Sequence, residues 1–214
     1  MTPPGSPAAA PATAVRRGRP GYDVDRIVGV ATAVFTDRGY DATTMTDLAT
    51  ALGLTKSAIY HHVSGKQELL ARALARALDA LDVVVAHARS SHSPALTTLQ
   101  EAVRGAVAAL IAELPSVTLL LRVRGNSDVE RAALARRRAI DGAIAEIVAQ
   151  AQRDGDLRPD IQPLLVARLI FGTVNSLVEW YPRSGAPAGV VADAVVALVF
   201  DGLRAERATP SQPE

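Results

Sequence analysis

LGLTKSAIYHHVSGKQELL, Leu52–Leu70, decides how this chain is read. Gly53 supplies a tight turn where a side chain would crowd the backbone. Thr55 then offers an N-cap for a helix of less than two turns, ending near His61. Ile59 can reach a core, which leaves Thr55, Lys56, Ser57, Tyr60 and His61 on or near the outer face. Ser64-Gly65-Lys66-Gln67 reads as another cap, with Gln67 at the third helical position. No glycine or proline interrupts the helix it opens until about Arg89. A core helix would be greasier than the one ending at His61. An idle solvated helix would have less reason to gather hydroxyls, an amine and flat rings together.

Working outward, Asp23 or a neighbour starts a first helix on which Ile27, Ala31, Val34 and Phe35 recur at helical spacing, and Gly39 ends it. Thr44, with Asp47 three residues on, caps a second helix over about Met45–Leu52. Two short helices joined by a glycine-bearing turn, after a third, predict a helix-turn-helix. Leu48, Ala49, Leu52, Leu54 and Ile59 would meet the Ile27, Val34 and Phe35 face. Downstream, Ser93-Pro94 opens a helix to about Leu114. Pro115 restarts a short one over 116–123, and Gly125-Asn126 breaks it. Ser127 and Glu130 form a capping box for a helix over 128–153. A strongly apolar helix covers about Ile161–Trp180, a loop Pro182–Gly189, and a last helix about 188–207. The expectation is an all-α chain of nine helices in two domains, with no strand and no internal repeat. Residues 22–67 form the head and 68–208 the body. The Pro/Ala/Gly-rich arm 1–21 and the tail 209–214 are expected to be mobile.

Composition narrows the function. There is no cysteine, which excludes disulfides and thiolate metal sites. The amino terminus lacks the apolar stretch of a secretory signal. Apolar runs such as Val190–Phe200 are too short or too interrupted to span a bilayer. A cytoplasmic protein with no membrane partner, cofactor or metal is expected. The formal net charge is only +1, so a case for nucleic acid has to be local. The clearest basic feature is Arg16-Arg17-Gly18-Arg19, just before the first helix. Neither a nucleophile–base pair nor any motif around the Ser90–Ser93 cluster points to catalysis.

A helix entering a major groove uses hydroxyls, amines and flat side chains on base edges, thymine methyls and phosphates. Double-stranded DNA is therefore the expected partner of the outward face. Lys66 would meet a phosphate, and the arginine arm (Arg16, Arg17, Arg19) would follow the backbone or reach a minor groove. Each reading has a rival: a Tyr60 ring that only packs, a Lys66 that is only solvated, an arm that is filler. A metal pair at His61 and His62 is disfavoured because adjacent helical residues point apart.

The stretch IVGVATAVFTDRGYDATTMTDLATALGLTKSAIYHHVSGKQELL, Ile27–Leu70, resembles the DNA-binding domain of the tetracycline-repressor (TetR) family. The matching parts are the A…F…GY first helix, TT…LA..LG, a short helix closing on IYHH, and K.ELL. The resemblance implies Thr44 and Thr46 beside the DNA backbone, and Lys56, Ser57 and Ala58 at the start of the recognition helix. Tyr60, His61 and His62 would lie against phosphates or base edges, and Lys66 would hold a phosphate. Ala58 departs from the threonine or glycine common in the family and can offer only its methyl.

For the body, the resemblance implies a ligand pocket among helices four to eight and dimerisation through the last two. Both late helices carry apolar residues on more than one face, more than a single core needs. Leu165, Leu169, Gly172, Val191, Val195 and Val199 are the expected dimer interface, with one thick core inside a single chain as the alternative. FGTVNSLVEWYPRSG, Phe171–Gly185, resembles TetR-like regulators of lipid, steroid or aromatic-acid breakdown, and IYHHVSGKQELL, Ile59–Leu70, resembles regulators of phenylacetate catabolism that respond to phenylacetyl-CoA. Together they imply a small-molecule effector, an acyl-CoA or an aromatic or fatty acid derivative. Phe171, Asn175, Trp180 and Arg122 are the candidate ligand contacts. Asn175 alternatively satisfies a nearby backbone group, and Trp180 alternatively only packs. Arg136-Arg137-Arg138 reads as a solvated face. The expected function is a ligand-responsive homodimeric repressor on a palindromic operator. Alternatives are an activator or dual regulator of the same fold, or a helical adaptor that binds no DNA.

Overall fold

A computed structural model of the chain describes residues 24–203. The elements are α1 (Val24–Arg38), α2 (Met45–Leu52), α3 (Lys56–Tyr60), α4 (Lys66–Ser90), α5 (Ala95–Ala112), α6 (Leu114–Arg122), α7 (Asp128–Arg153), α8 (Pro163–Asn175), α9 (Leu177–Trp180), a 3-10 turn (Tyr181–Arg183) and α10 (Ala188–Leu203). No strand occurs among the described residues.

The single apolar helix expected over Ile161–Trp180 is broken at Ser176 into α8 and a one-turn α9. Thr173 Oγ1 donates to the Leu169 carbonyl at 3.0 Å and Ser176 Oγ to the Thr173 carbonyl at 2.7 Å. Hydroxyls that bond back to the preceding turn bend helices. With α8 and α9 taken as one bent helix, the order of helices is the expected one.

Two caps differ from expectation. The Lys66 helix begins at Gly65 with no side-chain cap, and Gln67 plays no part. Glu68 does the work instead: its Oε2 accepts from the Ser64 backbone N–H at 2.6 Å and from the Ser64 hydroxyl at 2.7 Å. At α7, Ser127 caps as expected, accepting from the Glu130 N–H. The Glu130 carboxylate, however, reaches past Ser127 and accepts from the N–H groups of Arg124, Gly125 and Asn126. Glu130 is buried, and these three donors compensate its charge.

The core runs without interruption from head to body. Ile27, Ala31, Phe35, Leu48, Leu52 and Ile59 close the head, and Leu69, Leu70, Leu74 and Leu78 on α4 continue it inward. Helix α5 packs against α4, α7, α8 and α10. Against the sequence expectation, α5 is long and apolar enough by length and composition to cross a membrane. Its apolar residues Leu99, Val103, Val107 and Leu110 are buried against those neighbouring helices. The Arg136–Arg138 run is not simply solvated either: Arg136 of α7 bonds Asp79 at 2.6 Å and also pairs with Asp82, both on α4.

Candidate nucleic-acid interface

The head is assembled by local chemistry. Thr44 caps α2 and accepts from the Asp47 N–H, while Asp47 accepts from the Thr44 N–H at 2.8 Å. The Thr44 hydroxyl and backbone hold the Asp47 carboxyl below the usual range. Gly53 ends α2 with φ 65° and ψ 31°, the left-handed conformation. Leu54 N–H bonds back to the Ala49 carbonyl at 3.0 Å, which closes the turn. Thr55 caps α3 through the Ala58 N–H at 3.2 Å.

The outcome is a short helix with two unlike sides. Ile59 is fully buried and Val63 behind it nearly so. Thr55, Lys56, Ser57, Tyr60, His61 and His62 are exposed, and Ala58 is half-buried. Tyr60 leaves 51% of its surface open, which makes it one of the most exposed large apolar side chains of the head. Thr44 and Thr46 are exposed at the start of α2. The structure brings these residues onto one region of the head around α2 and α3. Arg16, Arg17 and Arg19 lie outside the described residues.

Lys66 is placed differently from the free phosphate-holding ammonium read from the sequence. Its Nζ donates to the Tyr40 carbonyl at 2.8 Å and the Thr43 carbonyl at 2.9 Å. It also sits 4.3 Å from the centroid of the Tyr40 ring, which in turn meets Phe35 edge-on. Two of its three donors therefore hold the α1–α2 loop. Only a long-range packing event sets this, so no local pattern signalled it.

The body residues separate in the same way. Leu165, Leu169 and Gly172 share one exposed face of α8, with Leu165 50% and Leu169 56% open. Val191 and Val195 are not on that surface: both are buried where α10 packs on α5. Val199 is half-buried. The exposed face of α10 is offset by about one residue and carries Val190, Ala194, Ala197 and Leu198. A shallow groove of about 260 Å³ between α8 and α10 is lined by Leu169, Thr173, Leu198 and Val199.

Of the candidate ligand contacts, Phe171 is buried, Asn175 half-buried and Trp180 45% exposed. The Asn175 amide makes no hydrogen bond within the described residues, so it satisfies no neighbouring backbone group. Arg122 points away from the body. Its Nη1 donates to the Thr36 carbonyl at the end of α1. It lines a cavity of about 440 Å³ between head and body, with Arg38, Tyr40 and Arg124.

Comparison with known proteins adds to this geometry. The family model for bacterial regulatory proteins of the tetR family matches residues 27–73, and the tetracyclin repressor-like C-terminal domain matches residues 92–203. The chain belongs to the TetR family. Members of that family are transcriptional regulators and not enzymes. A TetR-family regulator from Streptomyces coelicolor A3, SCO3833, is 50% identical with a TM-score of 0.76, covering 83% of this chain and 90% of that one. The HTH-type transcriptional repressor KstR2 of Mycobacterium tuberculosis is 28% identical over 190 residues, 84% of this chain and 92% of its own length. AibR, in complex with isovaleryl coenzyme A and operator DNA, shares the fold with a TM-score of 0.71 at 23% identity, over 83% of this chain and 97% of that one.

Proposed function

We propose that this TetR-family regulator is a cytoplasmic, homodimeric repressor that reads a palindromic operator and leaves it when a small molecule binds the body. The single observation that carries the reading is the two-sided α3. Ile59 anchors it to the core while Thr55, Lys56, Ser57, Tyr60 and His61 face outward together. Residues 22–67 bind DNA in this account, with the arm 1–21 adding backbone contacts. Residues 68–208 hold the effector and the dimer contact.

The dimer forms through the exposed faces of α8 and α10, with Leu165, Leu169, Val190 and Leu198 at its centre. Exposed aliphatic residues that share a face favour burial against a second copy. A two-fold axis there would present two recognition helices to half-sites one helical turn apart or a multiple of it. Repression is supported by KstR2, and a coenzyme A thioester effector by AibR. Phe171 and Asn175 are the body residues proposed to touch it, with Trp180 at the edge. Arg122 no longer belongs to that set.

The reading is tested by selecting duplexes from a random library with the purified chain, then repeating the selection with Tyr60→Ala and His61→Ala. An enriched palindrome, with preference changed in the His61 variant, is the expected result. No enrichment by the wild type would leave the helical adaptor as the better reading. A thermal-shift series of acyl-CoA thioesters against the matching free acids tests the effector class. Stabilisation by free acids alone would refute the thioester.

A further inference from the structure

Three cations, two on α4 and one on α6, hold the ends of α1 and the loop after it. Lys66 of α4 holds the Tyr40 and Thr43 carbonyls. Arg76, also on α4, pairs with Asp25 at the start of α1 at 2.5 Å. Arg122 of α6 donates to the Thr36 carbonyl, in the last turn of α1. The first two ride on one continuous helix, so a movement of α4 carries them along with the head. Arg122 is different because it reaches α1 from an element other than α4.

Its surroundings are not closely packed. The cavity of about 440 Å³ lies beside it, between the end of α1 and the end of α6. The Thr36 hydroxyl nearby is buried with no hydrogen-bond partner. The guanidinium of Arg124, on the same wall, makes no hydrogen bond within the described residues. A close-packed junction resists a change of angle, whereas one with a void bridged by a guanidinium can re-seat. The last carbonyls of a helix lack intrahelical donors, and a cation there also complements the helix dipole.

We infer that Arg122 is a positioning residue for operator binding: by capping α1 from α6 it sets the angle of the head against the body, and so the separation of the two recognition helices. This rests on the operator-binding reading above. The side chain is exposed, so its worth to overall stability is small. Its leverage is geometric, because α2 packs on α1 and α3 on α2.

The test uses the full chain as wild type, Arg122→Ala and Arg122→Lys. Affinity is measured for the duplex the wild type selects and for the same duplex with one or two base pairs inserted at its centre. The alanine variant is expected to lose about fivefold or more of the wild type's discrimination between spacings, the low end of ordinary coupling between sites. The lysine variant, which keeps a donor, should recover part of it. An unchanged spacing ratio in Arg122→Ala would overturn the inference, even with uniformly weaker binding. Should the wild type select no duplex, the operator reading itself fails. Amide exchange then decides for Arg122. Faster exchange at residues 37–39 in the alanine variant, with α4 unchanged, is expected, and no difference would refute the cap.

Discussion

Alanine placed at two glycines of the head should move stability in opposite directions. Gly53 stands at φ 65° and ψ 31°, and a Cβ there would meet nothing within 4 Å. Contrary to the crowding expected from the sequence, no neighbour would meet that Cβ, so the cost of Gly53→Ala is the left-handed backbone alone, at about 1–2 kcal/mol. The smaller conformational freedom of unfolded alanine offsets part of this, by about 0.4–1 kcal/mol. A net loss of roughly 1 kcal/mol follows, or about 2–4 °C in Tm for a chain of this size. Gly29 lies in the exposed interior of α1, and a Cβ there also meets nothing within 4 Å. Gly29→Ala should stabilise by roughly 0.5–1 kcal/mol through helix propensity. Gly53→Asn should lie between wild type and Gly53→Ala, since asparagine visits the left-handed region more readily. Differential scanning calorimetry at fixed protein concentration measures all three, because oligomers make Tm concentration-dependent. A Gly53→Ala protein as stable as wild type would show that the α2–α3 turn does not require this conformation, and the recognition-helix geometry built on it would fail.

Leu169→Glu should give a monomer by sedimentation while the fold survives, since Leu169 is 56% exposed. Val195→Glu should unfold the body instead, since Val195 is only 7% exposed; a folded monomer in its place would return Val195 to the interface. Lys66→Ala should lower Tm and weaken all DNA sequences with little change in salt slope, because its donors hold Tyr40 and Thr43. Lys56→Ala should leave Tm nearly unchanged and reduce the slope by about one unit, the signature of a lost phosphate contact. Hydrogen bonds from the Ser64 backbone and hydroxyl, and then from Arg72, pull the Glu68 pKa from 4.5 down to about 2. A lowered folded-state pKa contributes stability above the unfolded value that is lost as pH falls toward the folded one. The Tm gap between wild type and Glu68→Gln should therefore be full above pH 4.5 and shrink toward pH 2; a gap that does not depend on pH would count against the cap.

Local signals settled much about this protein. Thr44 with Asp47, Gly53, Thr55 and Ser127 each act within about four residues of themselves, and each stands where its spacing placed it. The outward set on α3 was legible for the same reason: one aliphatic residue, Ile59, orients a helix too short to have two buried sides. What the sequence left open depends on partners far along the chain. Helical periodicity says that α10 has apolar residues on several faces, but the position of α5 decides that Val191 and Val195 are inside and Val190 and Leu198 outside. Lys66 reads as a free cation until the α1–α2 loop, more than twenty residues away, brings two carbonyls to it. Arg122 reads as a ligand contact until the end of α1 comes within reach. Capping and turn chemistry is short-ranged and written in neighbouring residues. The destination of a long charged side chain is decided only when packing brings distant backbone beside it.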